Sequence, residues 1–187
     1  MAAGLELFGT VGYRATTVRM LCRQAGLIDR YFYKTFTDTE DLLKAIYGQS
    51  MDDIQAAVMQ AIAPELGSGD ADRIVDAGLD AFYRAFENSR IARICWLEVL
   101  GVSAAVDALY LQRIRLFADL LLMIARSLVP KLDLHPDEAR YTGVALVGAI
   151  SQSAMHWLLD DYRAERAHVV AASARLLKGA MNSLRAP

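Results

Sequence analysis

Apolar side chains recur at helical spacing along nearly the whole chain, and short polar or glycine-containing segments interrupt them. Ala2 to Phe8 reads as a short helix, with Leu5 and Phe8 three apart, ending before the turn Val11-Gly12-Tyr13. Thr16 or Thr17 is a suitable N-cap for a second helix whose inner face is Val18, Leu21, Cys22 and Ala25. Gly26 follows at once, where a helix end needs a residue tolerant of positive φ. A third short helix over 28–35 carries Phe32 and Phe36 on its buried side. Thr37 and Glu40, three apart, form a capping-box pattern that opens a long fourth helix running to Ala63. Pro64 to Asp72, with Gly67-Ser68-Gly69, reads as a linker. Helices follow over 72–88, 90–100, 103–129, 137–161 and 164–184, separated by Asn88-Ser89, Gly101, Pro130 to Pro136 and Asp160-Asp161. No period-two stretch is long enough for a strand. The pattern predicts an all-α protein of about nine helices.

Composition agrees with a folded chain: 55% of the 187 residues are apolar and 22% charged, enough for a sizeable core. The longest uncharged apolar run, Gly143 to Ile150, falls far short of the roughly 18 residues of a membrane span. No basic segment followed by an apolar stretch opens the sequence, so a cytoplasmic protein is expected. Cys22 and Cys95 are too few for a disulfide framework or a four-ligand zinc site, and read as reduced thiols.

Charge changes the picture more. The formal net charge is −2, yet residues 9–37 carry Arg14, Arg19, Arg23, Arg30 and Lys34 against the single acid Asp29. A basic segment on an acidic body suits a nucleic-acid-binding head, because phosphate contacts need local positive charge. Leu21, Cys22, Ala25, Gly26, Leu27, Phe32 and Phe36 form the packing set of a helix-turn-helix: small residues at a steep crossing and glycine in the tight turn. The third helix then presents Asp29, Arg30, Tyr31 and Lys34, with Tyr33 at its flank. Arg30 could bond guanine O6 and N7, and Tyr31 could pack on thymine methyls. Tyr33, Lys34 and Thr17 suit phosphate oxygens.

Catalytic chemistry finds no support. His135, His156 and His168 are scattered, no phosphate loop or nucleophile elbow occurs, and no cofactor or metal is expected. Cys95, between Arg93 and Trp96 and their neighbours, is at most a redox sensor.

The stretch Ala3 to Tyr47, including LELF, GYRATTVRMLCRQAGL, RYFYKTF and EDLLKAIY, resembles the DNA-binding domain of TetR-family transcriptional regulators. The resemblance implies a DNA-binding head over residues 1–45 and a helical ligand-binding and dimerisation body over 46–187. It also implies that Arg19 reaches bases from the second helix, and that Asp29, Arg30, Tyr31 and Tyr33 contact DNA. Ile28 stands where that family usually has a capping serine or threonine, leaving Asp29 as a substitute cap. Thr39 stands where a lysine often meets phosphate. Both departures should weaken affinity.

One short helix covers too few bases, so a specific reader of a pseudo-palindromic operator in double-stranded DNA implies a two-fold homodimer. The last two helices are the expected interface. Tyr141, Ala145, Gly148, Gln152, Met155 and Leu159 form one stripe; Gly143, Val147, Ile150, Ala154, Trp157 and Leu158 form another. Val169, Val170, Leu176, Leu177 and Leu184 add to it from the last helix. A pocket for a mostly apolar small-molecule effector is placed among Tyr83, Phe86, Trp96, Tyr110, Phe117, Met123, Met155 and Trp157, residues that equally suit a plain helical core. The reading is a dimeric regulator, a repressor released when an effector changes the spacing of the two heads, with the fourth helix as lever. Two alternatives stay open: a sensor whose head no longer binds DNA, and a helical enzyme using the body cavity.

Overall fold

The computed structural model describes residues 1–129 and 132–185, and among these every regular element is helical. The helices are α1 (Ala2–Thr10), α2 (Val18–Ala25), α3 (Asp29–Phe32), α4 (Thr39–Leu66), α5 (Ala71–Ala85), α6 (Ser89–Arg93), α7 (Ala104–Leu128), α8 (Pro136–Leu159) and α9 (Arg166–Arg185). A π-helical segment, Ile94–Glu98, follows α6 directly. The all-α expectation and the helix order hold. Pro130, expected within the separator before α8, lies outside the described residues.

Local chemistry moves several boundaries. α4 opens on Asp38, whose carboxylate accepts from the Asp41 N–H at 2.7 Å, while Asp41 accepts from the Thr37 N–H at 3.2 Å. The cap expected of Thr37 and Glu40 is therefore made by Asp38, while Asp41 reaches back past it to the Thr37 N–H. Glu40 instead accepts from the Ser103 hydroxyl at 2.9 Å. Pro64 does not end α4, which continues to Leu66. In the last turn a proline forfeits one hydrogen bond, and the break falls at the following glycines. The helix expected over 90–100 is α6 plus the π segment, where i→i+5 bonding inserts a residue into the turn. That insertion buries Ile94, Cys95 and Val99 together and leaves Glu98 on another side.

The chain divides into two compact units. One comprises residues 1–53 and 86–111, the other 54–85 and 112–187. In the first, Phe8, Leu43, Tyr47, Ile94 and Val106 are fully buried. α1 lies so close on α6 that a side chain at Gly9 would stand 2.7 Å from the Arg90 Cα. Glu6 pairs with Arg90 beside it at 2.6 Å. Phe86 stacks on Trp96 with ring centroids 4.2 Å apart, and the Cys95 sulfur meets that of Met51 at 3.8 Å.

In the second unit α5 packs on α9, and α9 on α8. Tyr83 is wholly buried there; its hydroxyl meets the Ser173 hydroxyl at 2.6 Å and the Ile150 carbonyl at 3.4 Å. Arg166 bonds Asp80 at 3.0 Å and Lys178 reaches Asp76 at 2.8 Å, so the rim of the α5–α9 seam is ionic. Gly143 faces Ala118, where an added Cβ would stand 3.1 Å from the Ala118 carbonyl oxygen. None of the helices within the described residues is long and apolar enough to cross a membrane.

Candidate nucleic-acid interface

The helix-turn-helix is built as its sequence requires. Thr17 is extended and accepts from the Met20 N–H at 3.3 Å, which starts α2. Gly26 ends it in the left-handed region, at φ 66°. The Leu27 N–H bonds the Cys22 carbonyl at 2.9 Å and closes the turn. Leu21, Cys22 and Phe32 are buried where the two helices meet. Ala25, expected on the inner face, is exposed, because the helix ends at its position and the chain turns away. α3 is shorter than expected: four residues, followed by turn geometry through Thr35. Its N-cap is Ile28, which makes no side-chain cap bond, and Asp29 lies in the first turn rather than at the cap. The Cys22 thiol is held above its ordinary pKa, first by burial and then by the neighbouring Asp29 carboxylate.

Thr17, Arg19, Asp29, Arg30, Tyr31, Tyr33 and Lys34 are all exposed, and all lie between the α2 cap and the turn that follows α3. Lys34 Nζ stands 5.2 Å from the centre of the Tyr31 ring. Tyr31 also borders an apolar cleft of about 260 Å³ that reaches Gly4, Leu21, Phe36 and Leu42.

Pairing sets these cations apart from most of the others, although Arg115, Arg126 and Arg175 are also without a salt bridge among the described residues. Among the described residues, Arg14, Arg19, Arg23, Arg30 and Lys34 make no salt bridge, whereas Lys44, Arg73, Arg84, Arg90, Arg93, Arg140, Arg163, Arg166 and Lys178 all do. Cations left unpaired on one exposed segment present their full charge to solvent or to an anionic partner.

The body residues expected to line an effector pocket are placed differently. Phe86, Trp96 and Tyr110 belong to the first unit, where Phe86 and Trp96 stack and Tyr110 stacks on Tyr47 at 6.5 Å. Tyr83, Phe117, Met123, Met155 and Trp157 belong to the second. Tyr83 packs edge-on against Trp157 at 6.0 Å, Phe117 meets Phe82 at 6.5 Å, and Met123 is 53% exposed. Met123 thus faces solvent, because its position on α7 lies off the side that carries Leu120 and Leu122 inward.

The two stripes of α8 separate except at Met155 and Leu158, which are both half-buried. Gly143, Val147, Ile150, Ala154 and Trp157 are buried within the unit, whereas Tyr141, Ala145, Gly148, Gln152 and Leu159 are exposed. On α9, Leu177 is buried and Leu176 is exposed. Gly148 and Gly179 have nothing within 4 Å of where a Cβ would stand.

Contacts that the local pattern did not reveal join α1 to the segment after α5. Glu98 accepts from the Tyr13 N–H at 2.7 Å and from Arg93 Nε at 2.9 Å. With the Glu6–Arg90 pair it ties α1 and the turn after it to residues 89–98. No sequence periodicity links positions so far apart.

A helix-turn-helix with an exposed basic segment, set on an otherwise acidic all-α chain, is the arrangement of a DNA-binding head. Residues 1–46 match the family model of the bacterial regulatory proteins, tetR family. The match covers the helix-turn-helix head and no more of the chain. The whole chain shares its fold with solved regulators at low identity. The fatty acid degradation regulator FadR of Bacillus halodurans is 16% identical at a TM-score of 0.74, over 94% of this chain and 91% of that one. FadR of Bacillus subtilis, solved in complex with stearoyl-CoA, is 17% identical at 0.72, over 94% of each chain. A bacterial regulatory protein in the tetR family from Rhodococcus RHA1 is 21% identical at 0.72, over 94% and 91%. No curated protein matches the sequence.

Proposed function

We propose that this protein is a cytoplasmic, homodimeric repressor whose two heads read a pseudo-palindromic operator in double-stranded DNA and let go when the body takes up a small apolar effector. The observation that carries the reading is the unpaired, exposed cation set of residues 14–34 on a TetR-type head. In this reading residues 1–45 are the DNA-binding head and 46–187 the ligand-binding and dimerising body. Arg30 reads guanine, Asp29 and Tyr31 meet adjacent base edges, Arg19 reaches in from α2, and Thr17, Tyr33 and Lys34 hold phosphates. The exposed stripe of α8 with Leu176 of α9 forms the two-fold interface, and Gly148 admits close approach of the partner helix. The bound stearoyl-CoA of the Bacillus subtilis FadR, which has the same fold, supports an effector with a long apolar part. Tyr83, Phe117 and Met155 are candidate contacts for it within the second unit.

An effector can shift the heads only by its differential affinity for two body conformations. α4 runs unbroken from Thr39 to Leu66 and is the natural lever. Inserting Gly-Gly after Ser50 should leave DNA binding insensitive to effector; unchanged release would remove α4 from the mechanism.

The primary test is a salt-dependent titration on DNA from upstream of the protein's own gene, against scrambled DNA of equal length. Specific binding should fall steeply with salt and show two chains per site. Arg30→Ala should cost about 1–3 kcal/mol and relax specificity at one base pair. Equal weak binding to both duplexes by the unaltered protein would favour the sensor reading.

A further inference from the structure

Glu98 spends both carboxylate oxygens on fixed partners while only 11% of its side chain is exposed. Oε2 accepts from the Tyr13 backbone N–H at 2.7 Å, across 85 residues of chain, and Oε1 from Arg93 Nε at 2.9 Å. The turn that it grips is stiff. Gly12 adopts φ 96°, and a Cβ there would stand 3.3 Å from each Glu98 oxygen, so glycine makes room for the carboxylate. The Thr16 hydroxyl donates to the Gly12 carbonyl at 2.7 Å in a buried position, and the Tyr13 ring packs edge-on against the fully buried Phe8 at 5.4 Å. Thr17 then starts α2, and Gly26 passes the chain directly to α3.

The other end of the grip is the π segment. Its extra residue turns Glu98 toward Tyr13 while Cys95 and Ile94 stay in the core and Trp96 stacks on Phe86. Such inserted turns are rare and occur frequently at functional sites.

We infer that Glu98 is a positioning residue for DNA recognition: its carboxylate, gripping the Tyr13 N–H, sets the angle at which the helix-turn-helix is held against residues 89–98. The inference rests on the DNA-binding reading above. It assigns the reach and acceptor capacity of Glu98, rather than its charge, to the alignment of one head with the other on a two-half-site operator. Arg93 orients the carboxylate from the side and is itself half-buried.

The test uses the full-length protein and two duplexes, both derived from a site selected by the unaltered protein out of random-sequence DNA. One carries the full site and the other a single half-site. If the unaltered protein selects no site, the DNA-binding reading fails and Glu98 is not at issue. With a site in hand, Glu98→Ala should weaken binding to the full site about tenfold or more, as leaving the Tyr13 N–H without its acceptor would. Half-site binding should stay within about twofold, because each head keeps its own contacts. Glu98→Gln keeps an acceptor of the same length and should restore most full-site affinity. Glu98→Asp keeps the charge but is one methylene short, and should behave as Glu98→Ala. A merely structural Glu98 would lower both duplexes alike, and a bystander would change neither; either pattern overturns the proposal. If Glu98→Ala does not fold, the Gln and Asp variants on the same duplexes decide it.

Discussion

Gly9 of α1 faces Arg90 of α6 with no room between them: a Cβ on Gly9 would stand 2.7 Å from the Arg90 Cα. A backbone atom cannot rotate away as a side-chain tip can. Gly9→Ala should therefore destabilise the protein by about 1–3 kcal/mol, although alanine is the better helix former. Gly179→Ala, where nothing lies within 4 Å, should be neutral or gain about 0.5–1 kcal/mol by the same propensity. Denaturant unfolding of the two variants side by side measures both; equal effects would mean that α1 and α6 are not in close contact.

Gly148 gives the converse experiment. Its surroundings within the protomer are open, so Gly148→Leu should fold with unchanged helicity. If the exposed α8 stripe is the two-fold interface, the added side chain separates the partner helices and weakens the dimer about tenfold or more. Sedimentation across a concentration series reads this directly, and an undisturbed dimer would move the interface elsewhere.

Tyr83 carries its hydroxyl into the core, where it is hydrogen-bonded to the Ser173 hydroxyl at 2.6 Å. Burial holds its pKa above the ordinary tyrosine value, with hydrogen bonds from Ser173 and Ser153 opposing the shift. Tyr83→Phe leaves Ser173 buried with one partner fewer, and should cost about 1–3 kcal/mol. Tyr83→Phe combined with Ser173→Ala should be less destabilising than the sum of the single changes, a coupling that a double-mutant cycle would measure.

Burial pushes the Cys95 thiol from 9.0 up to about 12. Above the unfolded value the unfolded chain releases this proton and the folded one keeps it, so ionisation favours unfolding. The contribution is fully present below pH 9 and is lost as the pH climbs toward 12; it amounts to up to about 4 kcal/mol. Cys95→Ser, which does not titrate there, should show a flatter fall in stability between pH 9 and 11. The native thiol should also resist alkylation at pH 8, and rapid modification would show that Cys95 is not sealed in.

Much of this molecule was legible in its sequence, for a physical reason. Helix periodicity, the Thr17 cap, the Gly26 terminus and the packing of Leu21, Cys22 and Phe32 are determined within a few residues of chain. The basic stretch from Arg14 to Lys34 could be read the same way, because residues adjacent in sequence share one surface there. The two stripes of α8 could be listed from spacing, but burial alone assigned Val147 inward and Tyr141 outward. Competition between equivalent local signals was decided late: Asp38 rather than Thr37 caps α4, and Pro64 yields to the helix that it was expected to end. The Glu98–Tyr13 bond, the Gly9–Arg90 contact and the π turn between them were invisible, because each depends on chain segments about 80 residues apart arriving together. Local free energies choose helices and caps; only the packed chain chooses which carboxylate meets which backbone N–H, since that pairing has no cost or reward until the surrounding water is gone.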